Sequence, residues 1–93
     1  MPDVKDNSAQ HRYEMAVDNG MAFVTYETAP DRVVLLHSEV PSTLSGRGVG
    51  SALARGVLDD IRRRGLRVVP RCEFMASFIE RHAVYADLVD PAA

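Results

Sequence analysis

The sequence lacks the features that mark secreted or membrane proteins. It has one cysteine, Cys72, among 93 residues, and a single cysteine cannot close an internal disulfide. Its first ten residues, MPDVKDNSAQ, contain no apolar core of the length found in signal peptides. No apolar run approaches the ~20 residues that a membrane-spanning helix requires. We therefore expect a cytoplasmic location and no membrane partner.

The sequence also lacks an excess of positive charge. Its formal net charge is −2, so no overall basic field would attract nucleic acid, and we expect no nucleic-acid partner. Positive charge is concentrated locally instead, at Arg62, Arg63, Arg64, Arg67 and Arg71. Two interpretations are open: a solvated helix end that complements the helix dipole, or a basic rim beside a phosphate-rich ligand.

Hydrophobic periodicity in the first half of the sequence predicts strands. Residues 1–9 are polar and aperiodic, which predicts a disordered tail, and residues 10–93 are expected to form a single domain. Alternating apolar residues flank an Asp-Asn-Gly turn at 18–20, which predicts a hairpin. Residues 32–40, RVVLLHSEV, predict a third strand, and their dense apolar character suggests burial on both faces.

The second half of the sequence predicts two helices around a short strand. Apolar residues recur every fourth position between 49 and 64, which indicates an amphipathic helix that Gly65 ends. A strand at 66–69 ends at Pro70, and residues 73–83 predict a second helix, after which the chain packs back onto the sheet. The predicted fold is α+β, in the order β-β-β-α-β-α: an antiparallel meander, a long helix, a short strand and a C-terminal helix.

Three glycines at alternate positions, Gly46, Gly48 and Gly50, precede the long helix in the stretch SGRGVGS. Such glycines let successive backbone N–H groups turn toward one point, and the helix dipole adds positive charge. The loop therefore predicts either an anion site or a plain turn. A dinucleotide fingerprint is excluded because Ser51 occupies its third glycine position and residues 67–71 contain no acidic residue. The Gly-Lys-Ser/Thr ending of a Walker A loop is absent too.

Four short motifs occur in an order that is specific to one family. They are HSEVP at residues 37–41, SGRGVG at 45–50, VPRC at 69–72 and YADL at 85–88. Together they resemble the small GCN5-related N-acetyltransferase-like proteins, a minimal subgroup of that superfamily (GNAT). The resemblance covers about residues 10–90. It implies a minimal GNAT-like fold and an acetyl-CoA-dependent N-acetyltransferase that acts on an unidentified amine.

The resemblance also implies where acetyl-CoA, the acetyl donor, would bind. Backbone amides of the glycine loop would hold its pyrophosphate, and Val40 would line the pantetheine arm. The expected cofactor-binding residues are Val40, Gly46, Arg47, Gly48, Val49, Gly50 and Ser51. The first position of the family's loop motif, usually Arg or Gln, is Ser45 here. This departure weakens the loop's rigidity or its phosphate contact unless Arg47 supplies the charge.

Cys72 and His37 are the candidate catalytic residues, and no metal is expected. Cys72 opens a helix, where the dipole and Arg71 favour negative charge, although a lone cysteine is usually a small buried hydrophobe. In the family, the corresponding cysteine and histidine lie near each other beside the acetyl thioester. His37, which would otherwise be interpreted as a hydrogen-bonded core histidine, would accept a proton from the amine or polarise the thiol. Two routes stay open: direct attack of the amine, which we favour, and an acetyl relay through Cys72.

Two other functions are open. A chain that keeps the coenzyme A loop but lacks an acceptor site would be a coenzyme A- or acyl-CoA-binding module without efficient catalysis. Larger family members build the acceptor site from helices between the first strands, whereas residues 18–20 predict a bare hairpin here. The groove would then be open, and an amine on a protein or peptide would suit it. The third function is an interaction protein that pairs through exposed strand edges.

Overall fold

The computed structural model describes residues 4–17, 20–42 and 48–91. They form a five-stranded sheet in the order β1-β2-β3-β4-β5, with helices α1 and α2. The strands are β1 (Lys5–Asn7), β2 (Arg12–Val17), β3 (Gly20–Ala29), β4 (Arg32–Glu39) and β5 (Arg67–Pro70). The helices are α1 (Val49–Arg63) and α2 (Glu73–Arg81), and 3₁₀ turns span Ser8–Gln10 and Ala83–Leu88. Within these residues, no helix is both long and apolar enough to cross a lipid bilayer.

Strands β2, β3 and β4 form the predicted antiparallel meander. The buried Tyr13 of β2 pairs with the buried Val24 of β3. Side chains alternate between the two faces along each strand, so such pairs are expected where one face of the sheet is covered. Val17 pairs with Gly20 across the end of the first hairpin. The predicted turn residues 18–19 lie outside the described residues.

Strand β1 extends the sheet at its N-terminal edge, antiparallel to β2. The expectation of a disordered tail over residues 1–9 is therefore wrong for residues 4–9, whereas residues 1–3 lie outside the described part of the chain. Polar contacts hold this strand: the Asp6 carboxylate accepts hydrogen bonds from the Tyr26 hydroxyl and from Arg64. A strand of three residues is too short to show a hydrophobic period, so the sequence pattern gave no sign of it.

Helix α1 connects β4 to β5, the parallel pair of the sheet. The two strands pair from Arg32 with Arg67 to Leu35 with Pro70, and parallel neighbours require a crossover of this kind. The buried side of the helix consists of Val49, Leu53, Ala54, Val57, Leu58 and Ile61. Gly65 follows the helix with φ +71°, in the left-handed conformation that ends many helices.

The end of the chain packs against α1 and β5, as the sequence predicted. Tyr85 and Leu88 are buried, and the Tyr85 hydroxyl donates to Asp59 of α1 at 2.8 Å. Val89 forms an isolated parallel bridge with Val68 of β5. Burial and the bond to Asp59 raise the pKa of Tyr85 above its ordinary value, which fits a packing role for this side chain.

Both helices pack on the same face of the sheet. A single core cluster joins inward-facing strand residues to both helices; it includes Met15, Val24, Leu35, Leu53, Val57, Met75 and Phe78. No helix covers the opposite face within the described ranges. The predicted burial of β4 on both faces is therefore wrong: Val33 and Leu35 are buried, but Leu36 is 39% exposed.

A polar cluster joins the C-terminal end of α1 to the first three strands. Asp60 accepts a hydrogen bond from the Tyr13 hydroxyl at 2.8 Å and pairs with Arg64 at 2.9 Å. Arg64 also lies 2.8 Å from Asp6, which binds Tyr26. Burial raises the pKa of Asp60, but the hydrogen bond from Tyr13 and those from the arginines outweigh it, so this pKa lies below its ordinary value.

Candidate active site

The start of α1 offers backbone donors that its own N-cap residue does not satisfy. Gly48 is the N-cap, with φ +75° and no side-chain cap bond, and the first turn contains no acidic residue. A Cβ at Gly48 would meet nothing within 4 Å, so the glycine is required by backbone conformation rather than by space. N–H groups that the N-cap residue leaves unsatisfied, together with the helix dipole, suit an anion. The expected site residues Gly46 and Arg47 lie outside the described residues.

Three segments converge beside the first turn of α1. A Cβ built on Gly50 would lie 3.0 Å from the ring of Phe74 and 3.8 Å from Cγ2 of Val40. The structure therefore brings two predicted binding residues, Gly50 and Val40, to one place. It adds Phe74, which the sequence placed only within the second predicted helix. The contact depends on the packing of α2 against α1, which local periodicity does not report.

Cys72 lies at the junction of β5 and α2, with its side chain on the helix-covered face. It is the N-cap of α2: its Sγ accepts a hydrogen bond from the Met75 N–H at 3.3 Å. The residue is only 7% exposed. Its second neighbour is the Ser38 hydroxyl, whose Oγ lies 3.3 Å from Sγ. The backbone N–H of Cys72 donates to the Leu35 carbonyl at 3.1 Å, which ties this helix start to β4.

His37 lies on the opposite face of the sheet from Cys72. The register of the β3–β4 pair shifts between Thr25 and Tyr26. Tyr26 pairs with Leu35, but Thr25 pairs with His37. Leu36 is therefore an extra residue in β4, a β-bulge. His37 consequently shares the uncovered face with Phe23, whose ring centroid is 6.5 Å away. The expectations that His37 lies in a buried strand and close to Cys72 are not met.

The uncovered face makes His37 accessible to a large molecule. Its side chain is 63% exposed, and its Nε2 lies 3.5 Å from a carboxylate oxygen of Glu39. The acidic neighbour would hold a cation near the imidazole, and an exposed imidazole can exchange a proton with a bound amine. The structure thus separates the two predicted catalytic residues by the thickness of the sheet.

Strand β4 continues beyond its parallel partner. Pairing with β5 ends at Leu35 and Pro70, whereas β4 runs on to Glu39. The N–H groups of Arg71 and Cys72 both converge on the Leu35 carbonyl, at 2.9 and 3.1 Å, so β5 turns away from β4 at this point. The edge of β4 after Leu35 is therefore free of β5 and can offer backbone groups to an extended ligand.

Most of the clustered arginines lie at the other end of α1. Arg62 pairs with Asp87 at 2.9 Å, and Arg64 pairs with Asp6 and Asp60. A helix of 15 residues is about 22 Å long, so these groups are remote from the N-terminal turn of α1. The interpretation as a helix end that complements the dipole therefore fits Arg62 and Arg64. Arg71 alone of the five adjoins Cys72 in the sequence.

The fold is that of a known solved structure. An NMR solution structure of a GCN5-like protein from Staphylococcus aureus superposes with a TM-score of 0.72, over 95% of this chain and 87% of that chain. The two sequences are 24% identical over the match, so the likeness establishes the architecture only. The predicted α+β class and the minimal GNAT-like fold are confirmed.

Sequence comparison gives the family. Residues 12–88 match the model described as GCN5-related N-acetyl-transferase, and the chain belongs to this family. It is also similar to protein NATD1 of Bos taurus, with 32% identity over 73 residues. The match covers 75% of this chain and 65% of NATD1, so the chain spans just under two thirds of that relative's length.

Proposed function

We propose that the protein is an acetyl-CoA-dependent N-acetyltransferase. The observation that most supports this function is the convergence of three segments at one end of the sheet. They are the first turn of α1 at Gly50, Val40 beyond β4, and Phe74 in the first turn of α2. A long thioester ligand needs an anion site and an adjoining apolar channel. Family membership supplies the reaction class.

The donor would bind along this convergence. The N–H groups of Gly48, Val49, Gly50 and Ser51 would hold its diphosphate, together with those of Gly46 and Arg47. Val40 and Phe74, which flank Gly50, would line the pantetheine arm. The acetyl group would then lie beside the part of β4 that β5 does not pair.

The acceptor amine would attack directly from the uncovered face. The lone pair of the neutral nitrogen forms a bond to the acetyl carbonyl carbon, and the carbon–sulfur bond breaks with its electron pair on sulfur. His37 accepts the proton that leaves nitrogen, and a proton neutralises the departing thiolate. Backbone N–H groups of β4 would stabilise the negative charge that develops on the carbonyl oxygen. The openness of this face favours an amine on a protein or peptide.

Calorimetry with acetyl-CoA tests the binding half of this proposal. We expect affinity in the micromolar range, because most of the diphosphate contact comes from backbone donors. Thiol release measured with a panel of amines and peptides tests the catalytic half. Binding without thiol release for any acceptor would support a binding module instead, and no binding at millimolar ligand would contradict the proposal.

Mass spectrometry distinguishes direct attack from a relay. Incubation with acetyl-CoA in the absence of an amine should leave the protein mass unchanged if attack is direct. An added acetyl group that disappears in a Cys72→Ser variant would show that Cys72 carries the acetyl group and would overturn the direct route.

A further inference from the structure

The bulge at Leu36 determines which side chain of β4 faces Cys72. In a regular strand, alternate residues share a face, so His37 would follow Leu35 onto the helix-covered side. The extra residue reverses this alternation. Ser38 therefore pairs with the buried Val24 and points toward α2, and His37 points away.

The hydrogen bonds of Cys72 place a hydroxyl where a histidine was expected. The Met75 N–H can only donate, so Sγ is the acceptor in that 3.3 Å contact. The Ser38 hydroxyl, 3.3 Å from the same sulfur, can both donate and accept. It accepts from the S–H when the sulfur is a thiol and donates when the sulfur is a thiolate. Ser38 can therefore bind the sulfur in either state.

We propose that Ser38 is the positioning residue of Cys72: it orients the sulfur against the N-terminus of α2 and donates a hydrogen bond to its thiolate. The inference rests on the proposed function only for the location of the thiol near the bound acetyl group. The contact itself belongs to this chain's own geometry. His37 has no part in it, because it lies across the sheet.

A matched pair of variants tests this role. Threonine keeps the hydroxyl, whereas valine has the same branched shape without it, and both suit a β-strand. The probe is alkylation of Cys72, the one cysteine of the chain, by iodoacetamide at pH 7, followed by intact mass. Because the thiolate is the reactive form, Ser38→Thr should react within about twofold of the wild type. Ser38→Val should react roughly tenfold more slowly, the loss expected for a hydrogen bond to a charged group.

Because threonine and valine have the same shape, comparing the two variants separates the effect of the hydroxyl hydrogen bond from the effects of side-chain packing and of reagent access to Cys72. If Ser38 only fills space, the threonine and valine variants will react at equal rates, which would overturn the proposal. Thermal unfolding of both variants verifies that each is folded. Acetyl-CoA binding is measured separately on the wild type: its absence would contradict the proposed function, but a rate difference between the two variants would still establish Ser38 as the partner of Cys72.

Discussion

Gly48 and Gly65 adopt nearly the same left-handed backbone, with φ +75° and +71°, at opposite ends of α1. A Cβ at either position would meet open space. Replacement by alanine therefore strains both positions in the same way, by about 1 kcal/mol. Only Gly48 lies at the turn proposed to hold the diphosphate of acetyl-CoA.

We expect Gly48→Ala to weaken acetyl-CoA binding about tenfold, because the strained residue displaces the N–H groups that follow it. Gly65→Ala should lower the free energy of unfolding by about 1 kcal/mol, the strain expected at either position. It should leave the affinity for acetyl-CoA within about twofold of the wild type. Calorimetry and urea unfolding of both variants measure the two effects. Equal affinities of the two variants for acetyl-CoA would show that the diphosphate does not bind at the start of α1.

The ends of α1 could be predicted from the sequence because they depend on local rules. The spacing of apolar residues predicted a helix over 49–64, and the structure has Val49–Arg63. Gly65 ends it through a backbone conformation that glycine adopts readily. The meander was predictable for the same reason, since alternation over consecutive residues reports one buried face.

The face on which His37 lies could not be predicted from the sequence. It depends on a bulge at Leu36, which arises from the pairing of two strands. The residue types of neither strand indicate that bulge. The same bulge gives Ser38 its contact with Cys72. Phe74 was missed for a related reason, because its contact with Gly50 joins two helices. Such features belong to tertiary packing, which a single sequence does not encode locally.

His37 should be required for transfer but not for donor binding. His37→Asn keeps a polar side chain that cannot accept a proton near neutral pH, so thiol release in the presence of an amine should fall by roughly a hundredfold or more. Acetyl-CoA affinity should change little, because His37 lies on the uncovered face.

The same substitution at a second exposed histidine supplies the control. His11 has φ 52°, a conformation that asparagine tolerates, so His11→Asn should fold and should retain the wild-type rate of thiol release. If both variants are equally active, His37 does not accept the proton, and the base in the direct route is another group.

Gly56 is required for Val4, the residue before β1, to lie against α1. A Cβ at this position would come closer to Cγ2 and Cβ of Val4 than packed atoms allow. We expect Gly56→Ala to lower the free energy of unfolding by about 1–3 kcal/mol, although alanine is the better helix former by about 1 kcal/mol.

A second substitution reverses the sign of this effect. In a Val4→Gly background the obstructing side chain is gone, so Gly56→Ala should become neutral or stabilising by up to about 1 kcal/mol. Urea unfolding of the wild type, the two single variants and the double variant gives the coupling between the two positions. A loss of the same size in both backgrounds would show that Val4 does not pack on the helix as described.

The bond between Tyr26 and Asp6 predicts a loss of stability at alkaline pH. Burial, followed by the hydrogen bond to Asp6, raises the pKa of Tyr26 from 10.0 to about 12. The phenol is therefore held neutral in the folded protein but ionises near pH 10 once the chain unfolds. Its stabilising contribution is complete below pH 10 and is lost as the pH rises from 10 to about 12.

Tyr26→Phe isolates this contribution from other groups that titrate in the same range. At pH 8 the variant should be less stable than the wild type by roughly 1 kcal/mol, the value of one hydrogen bond. The difference should shrink as the pH rises above 10, because only the wild type has a phenol to ionise. Urea unfolding of both proteins between pH 8 and pH 11 measures it. A difference that stays constant over this range would mean that Tyr26 does not hold β1 through a neutral hydroxyl.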